Sequence, residues 1–255
     1  MANKPPDRNL APIAQKLRVR YAKRGRLRFS SHRDFQRALE RALRRAGVPM
    51  AYSAGFSPHP KISYSNSAPT GVASEAEYVE IGVTRHCDPT KIRVELDAAL
   101  PNGLDVIEVI EATSRDFSAR LEASLWEMEI SAPVQEVARA VEDLLGASEV
   151  LVERMTKSGK RVFDARSAIL LMESVAQSAV TAPAHTQMPP ECVILHVVVR
   201  HIVPSVRPDD VLTALKQVGT LEPRKPVRVT RLAQGPLSEE SISIEDPFDP
   251  DRVLV

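Results

Sequence analysis

"KLRVRYAKRGRLRFSSHRDFQRALERALRRAG", residues 16–47, holds a strand, a turn and a helix in one run. Leu17, Val19 and Tyr21 alternate with Arg18 and Arg20, the period of two that marks a half-buried strand. The period then changes. Phe35, Ala38, Leu39, Ala42, Leu43 and Ala46 recur at helical spacing and make one apolar face. Ser31 is placed to cap this helix, Asp34 to sit in its first turn, and Gly47 followed by Pro49 to end it. Outward from here, "KISYS" (61–65) and "EAEYVEIGV" (75–83) read as strands. "DPTKIRVELDAAL" (88–100) reads as a helix opened by Asp88 and Pro89, and "LDVIEVIEA" (104–112) as a further strand. The order β-α-β-β-α-β is that of a ferredoxin-like split βαβ module.

The second half begins the same way. "SLWEMEIS" (124–131) alternates, and "PVQEVARAVEDLLGA" (133–147) is helical with Pro133 near its first turn. "SEVLVERM" (148–155) and "KRVFDA" (160–165) predict a hairpin around Ser158-Gly159. "RSAILLMESVAQ" (166–177) fits a short helix or a strand. "CVILHVVVRH" (192–201) has the nearly continuous apolar character of a central strand. "RPDDVLTALKQV" (207–218) and "PVRVTRLA" (226–233) complete a helix and a strand. The expected fold class is α+β, two tandem ferredoxin-like (βαββαβ) modules with antiparallel sheets. They span 15–112 and 123–234, with an insertion near 178–190. A disordered lead is expected over 1–14 and an acidic disordered tail over 235–255, which carries six acids and one base.

With 26% charged and 43% apolar residues in 255, the chain has the composition of a globular protein able to bury a core. Its two cysteines, Cys87 and Cys192, are far apart and in no metal-ligand spacing. That fits a reducing compartment and no structural zinc. The N-terminus lacks an apolar signal-peptide core, and no apolar run approaches the ~18 residues of a membrane span. A cytoplasmic protein with no membrane partner is expected.

Charge is unevenly placed. Residues 16–47 carry twelve basic and two acidic side chains, a net +10 in a chain whose total is +1. Such asymmetry points to an anionic partner, nucleic acid first. Arg33, Arg37, Arg41, Arg44 and Arg45 fall within about 120° of the helix surface, opposite its apolar face. Arg18 and Arg20 point to the sheet's other side. The best single phosphate- or partner-binding patch is therefore the turn plus the helix: Arg24, Arg26, Arg28, Arg33, Arg37, Arg41, Arg44 and Arg45. A plain solvated face is the alternative reading. Nothing points to DNA specificity.

After the helix comes "AYSAGFSPHPKISYSNSAP", residues 51–69. Pro58 and Pro60 restrict the backbone around His59 and stiffen the loop. Tyr52 and Phe56 are suited to stacking on bases, and Lys61 and Tyr64 complete a recognition set with His59. The same aromatics could instead pin the loop to the core. His32, at the helix start, and His59 are the only pair available for acid–base chemistry, which metal-free RNA cleavage needs. No P-loop, GxGxxG, GxSxG or HExxH is present. Asp164 and Arg166 read as a helix cap with an ion pair, and His196 and His201 as satisfied core or edge residues.

Several of these stretches also resemble a known family. F-x-S-H-x-D (Phe29, Ser31, His32, Asp34) precedes E-R-A-x-R-R-A (Glu40, Arg41, Arg44, Arg45). A-Y-S-x-G-F-x-P-H-P follows (Tyr52, Ser53, Gly55, Phe56, Pro58, His59, Pro60), then S-x-A-E-Y (Ser74, Glu75, Glu77, Tyr78). "VFDAR" and "SVRPDDVLTAL" match more loosely. This pattern resembles the radical-SAM-linked protein family, a bacterial domain of unknown function fused to or encoded beside a cobalamin-binding-type radical SAM protein. The resemblance implies a partner that carries an iron–sulfur cluster, SAM and cobalamin. This chain has no C-x-x-x-C-x-x-C, and two cysteines cannot hold such a cluster. The expected role is an accessory or substrate-presenting partner of a radical SAM enzyme that binds RNA. The alternatives are a metal-independent ribonuclease using His32 and His59, and a protein–protein adaptor without nucleic acid.

Overall fold

β1 (Gln15–Lys23) and α1 (His32–Arg45) form where the two hydrophobic periods place them. Ser31 caps α1 through a reciprocal box: its hydroxyl accepts from the Asp34 N–H, and the Asp34 carboxylate accepts from the Ser31 N–H. Gly47 ends the helix with φ +63°. β2 (Ile62–Ser65), β3 (Ala73–Val83), α2 (Pro89–Ala99) and β4 (Val106–Glu111) follow. The Asp88 side chain caps α2 by accepting from the Thr90 N–H. This is a computed structural model, and it describes residues 11–156, 159–175 and 192–252. The expected insertion near 178–190 and most of the expected lead lie outside those residues. Within them the chain is mixed α/β, with four α-helices and mostly antiparallel strand pairing.

The chain divides into two compact units. The first comprises residues up to Arg120 together with the segment from Pro247 onward. Its strands lie in the order β4-β1-β3-β2, every pairing antiparallel. Leu17, Val19 and Tyr21 on β1 and Val79, Ile81 and Val83 on β3 face the core, as do Phe35, Leu39 and Leu43 of α1 and Ile92 and Leu96 of α2. Tyr21 and Phe35 stack with ring centroids 4.3 Å apart.

The other face of this sheet differs from expectation. Alternation predicts an outward-pointing Arg18, yet it is 1% exposed. The reason is the chain's own C-terminal segment. Phe248 is fully buried against Tyr78 and Phe117, with centroids 5.3 and 5.7 Å away. Burying such a ring stabilises by about 1.5–3 kcal/mol. The turn Asp249–Asp251 then seats Asp251 beside Arg18. Asp251 accepts from the Arg18 and Arg120 guanidiniums, from the backbone N–H groups of Thr113 and Ser114, and from the hydroxyls of both. The Arg18 guanidinium also donates to the Ser114 carbonyl at 2.7 Å and lies 4.8 Å over the Phe117 ring. Burial alone would raise the Asp251 pKa. Hydrogen bonds from Ser114 and Arg120 and the Arg18 charge outweigh it and hold the carboxyl below the ordinary range. The expected disordered tail is thus an ordered segment through Arg252, which itself pairs with Glu108 at 3.0 Å.

The second unit, Leu121–Asp246, repeats the pattern. Its elements are β5 (Ala123–Ile130), α3 (Val134–Gly146), β6 (Leu151–Thr156), β7 (Gly159–Asp164), β8 (Ile169–Val175), β9 (Val193–Arg200), α4 (Pro208–Gly219) and β10 (Arg228–Gly235). The sheet order is β10-β5-β9-β8, again antiparallel throughout. Among the described residues β6 and β7 pair only with each other, as the expected hairpin. The ambiguous "RSAILLMESVAQ" supplies the strand β8. β9 is central, with both edges paired to β5 and β8, and its side chains are mostly buried on both faces. Two short strands, β11 (Leu237–Ser238) and β12 (Ser243–Ile244), pair within the stretch expected to be disordered.

Asp164 caps a 3-10 turn, accepting from the N–H groups of Val150, Arg166 and Ser167. Arg166 does not pair with it. Its guanidinium donates to the Leu145 and Ile169 carbonyls. His201 is half-buried with Nδ1 2.5 Å from the Leu121 carbonyl and Nε2 2.8 Å from the Ser124 hydroxyl, and desolvation lowers its pKa. α3 and α4 approach closely at Gly219, where an added Cβ would lie 2.3 Å from the Ala140 Cβ. Gly219→Ala is therefore expected to lower stability by about 3 kcal/mol through forced separation of the helices. Urea unfolding checks this, and adding Ala140→Gly is expected to restore part of the loss.

Candidate nucleic-acid interface

The basic run divides into two populations. The β1 half is used internally. Lys16 pairs with Glu80 at 2.8 Å, and Arg18 is locked beside Asp251. Arg20 donates to the Glu75 carbonyl at 3.0 Å, and Lys23 to the carbonyls of Ala68 and Pro69 at 3.1 Å. Arg24, expected to bind phosphate, instead bridges Glu75 and Asp105, with a 2.7 Å bond to each. The Glu75 hydrogen bond leads in raising its guanidinium pKa further, so the group is a fixed structural cation. Arg28 is half-buried and lies 4.7 Å over the Phe29 ring.

The α1 half is different. Arg26, Arg33, Arg37, Arg41 and Arg44 are exposed and form no ion pair among the described residues. Arg45 is exposed too, but donates to the Ala99 carbonyl at 2.8 Å and so ties α1 to the end of α2. Arg33, Arg37, Arg41 and Arg44 form a stripe of unpaired guanidiniums one turn apart, each able to fork onto a phosphate.

The Pro-His-Pro loop lies beside the C-terminal half of this stripe. Tyr52 bridges Pro60 across the loop. The Ser53 N–H donates to the His59 carbonyl at 2.9 Å, and the His59 N–H returns to the Ser53 hydroxyl at 3.1 Å. The Lys61 N–H donates to the Ala51 carbonyl at 2.8 Å, which anchors the base of the loop. The restraint expected from the two prolines is thus reinforced by main-chain bonds. Tyr52 and Phe56 are 38% and 57% exposed, so both keep rings available for stacking. His59 and Lys61 are exposed. A pocket of about 110 Å³ lies under the loop, lined by His59, Tyr52 and Pro58 on one side and Glu40 and Arg44 of α1 on the other.

Tyr64, expected in the recognition set, belongs to the core side. Its ring meets Phe35 and His32 edge-on at 6.1 and 4.9 Å. Burial, with the Glu40 charge, pushes its hydroxyl pKa up to about 12. His32 is also committed: Gln36 Nε2 lies 3.0 Å from its Nε2, and Ser67 Oγ 3.3 Å from its Nδ1. It fastens the start of α1 to the segment after β2.

His32 and His59 stand at opposite ends of α1. His59 shares a pocket with Glu40 and Arg44, which are about 12–18 Å along the axis from His32 at the helical rise. The structure does not assemble them as an acid–base pair. Among the described residues there is no group of three His, Cys, Asp or Glu that could hold a metal. No described helix is long and apolar enough to cross a membrane.

Two features escape a reading of the sequence. Glu40 reads there as an acid in the arginine run and as part of the E-R-A-x-R-R-A motif, not as a pocket residue, although its i, i+4 relation to Arg44 already places both on one face. The Asp251 cluster has no local signal at all. A family model described as "Uncharacterized protein conserved in bacteria (DUF2344)" matches residues 16–208, from β1 to the start of α4. No curated protein matches the chain. The arginine stripe of α1 and the Pro-His-Pro loop both lie inside the matched region, and the chain belongs to this uncharacterized bacterial family, DUF2344.

Proposed function

We propose that the chain is an accessory, substrate-presenting partner of a radical SAM enzyme and that it binds RNA through α1 and the Pro-His-Pro loop. The observation that carries the RNA reading is the unpaired stripe Arg33, Arg37, Arg41 and Arg44 beside the exposed rings of Tyr52 and Phe56. Phosphate-binding cations next to stacking platforms are what single-stranded nucleic acid requires. Two carboxylates interrupt the arginines of α1: Asp34 is held by the Ser31 hydroxyl and N–H, and Glu40 forms no ion pair among the described residues, so the stripe stays net basic. The sequence pattern at residues 29–78 supports the radical SAM partnership, in which the partner supplies the iron–sulfur cluster, SAM and cobalamin. We read each unit as a ferredoxin-like module. The orders β4-β1-β3-β2 and β10-β5-β9-β8 support that reading, with the β6–β7 hairpin as an addition to the second.

Two measurements test the proposal. Fluorescence anisotropy with a 20-nucleotide single-stranded RNA is expected to give binding that weakens steeply with salt. Absence of salt-dependent binding would remove the RNA reading and favour an adaptor that contacts protein only. Affinity purification of the full chain from a bacterial host is expected to bring down an iron–sulfur protein. Recovery of other partners alone would count against the radical SAM role.

A further inference from the structure

Glu40 and Arg44 stand one helical turn apart, in the orientation that favours an ion pair. Comparable pairs elsewhere in the chain do form, at 3.7 Å for Lys91–Glu95 and 3.9 Å for Arg139–Asp143. Glu40 and Arg44 do not pair with each other, nor with any other described residue. Both line the pocket beneath the Pro-His-Pro loop, and Glu40 is half-buried there. Its carboxylate oxygens are not fully buried, so water holds them until a ligand supplies donors in its place.

The rest of the pocket limits what that ligand is. Leu43, Met50, Pro58 and Pro60 give apolar walls, and Tyr52 gives an aromatic one. At about 110 Å³ the pocket is comparable in size to a single planar ring system. The ligand must therefore be flat, carry adjacent N–H donors for the carboxylate, and carry acceptors for the guanidinium. Among the four RNA bases guanine meets this description. Its N1–H and N2–H₂ sit side by side on the Watson–Crick edge, while O6 and N7 accept on the other. Adenine and cytosine place a ring-nitrogen acceptor beside their amino group and would turn a lone pair toward Glu40. Uracil offers a single N–H between two carbonyls.

We infer that this pocket takes one splayed-out guanine of the bound RNA. Glu40 accepts from N1–H and N2–H₂, and Arg44 donates to O6 and N7. The inference rests on the RNA reading and adds the base that is recognised. The test uses the full chain and four labelled 12-nucleotide oligouridylates at one salt concentration. They carry a single central guanine, inosine, adenine or uracil. The guanine oligomer is expected to bind roughly 10-fold tighter than the adenine or uracil ones, with inosine, which lacks the N2 amino group, between them. Glu40→Gln is expected to reduce the guanine-to-adenine ratio to near unity. Equal affinities in the wild-type chain, or a ratio unchanged in Glu40→Gln, would overturn the assignment while leaving RNA binding standing. Failure of every oligomer to bind would overturn both.

Discussion

Asp251→Ala is expected to destabilise the protein by about 3–5 kcal/mol, the cost of leaving a buried charge without its partner. Arg18 is 1% exposed and Asp251 4%. Removing the carboxylate leaves the Arg18 guanidinium with only the Ser114 groups and the edge of Glu80 for compensation. It also strips the acceptor from the N–H groups of Thr113 and Ser114. Arg24→Ala provides the contrast. It bridges both Glu75 and Asp105, but the side chain is 49% exposed, so a loss of no more than about 1 kcal/mol is expected. Urea unfolding of both variants separates the cases; equal losses would contradict the assigned role of the C-terminal segment. Replacing Arg18 and Asp251 together by apolar residues is expected to recover only part of the loss, because the Thr113 and Ser114 N–H groups and the Arg120 guanidinium still lack their acceptor.

The same pair fixes an acid dependence. The folded Asp251 pKa lies below the ordinary value of 3.8. Its contribution is therefore complete above the unfolded pKa and is lost as pH falls through the lower folded one. The wild-type chain should lose more stability than Asp251→Ala between about pH 5 and pH 2.

The second large effect concerns the arginine stripe. Replacing Arg33, Arg37, Arg41 and Arg44 by alanine is expected to weaken single-stranded RNA binding roughly 10²- to 10³-fold near 0.1 M salt. Each phosphate left without its arginine takes about 0.7 from the slope of log K against log salt, so Arg33, Arg37 and Arg41 together take about 2.1, while the loss of Arg44 removes a base contact. None of the four forms an ion pair among the described residues and all are exposed, so the fold is expected to be unaffected. Alanine is a better helix former than arginine, which protects α1 itself.

How much of the molecule is legible in its sequence depends on how local each cause is. The elements around α1 are legible, because Ser31, Asp34 and Gly47 act on residues within a turn of themselves. The arc of arginines is legible for the same reason. Which arginines stay free is not. Arg24 is claimed by Glu75 and Asp105, 51 and 81 residues away, and Arg45 by a carbonyl 54 residues away. The alternation on β1 makes Arg18 look exposed, because a strand with one polar face normally meets water there. Its partner Asp251 lies 233 residues further on, in a segment with six acids whose buried aromatic anchor is Phe248. Nothing local marks that aspartate as different from its neighbours. Tyr64 is the opposite case. Ile62 and Tyr64 share one face of β2, and that alternation already assigns Tyr64 to the core side.

The most direct test of the central claim is the salt dependence of RNA binding in the wild-type chain and in the four-arginine variant, measured on the same oligomer. The expected result is a linear log–log plot whose slope falls by about 2.1 in the variant, with the two curves converging toward 1 M salt. Parallel curves, or a variant that binds as tightly as the wild type at about 0.1 M salt, would contradict the claim.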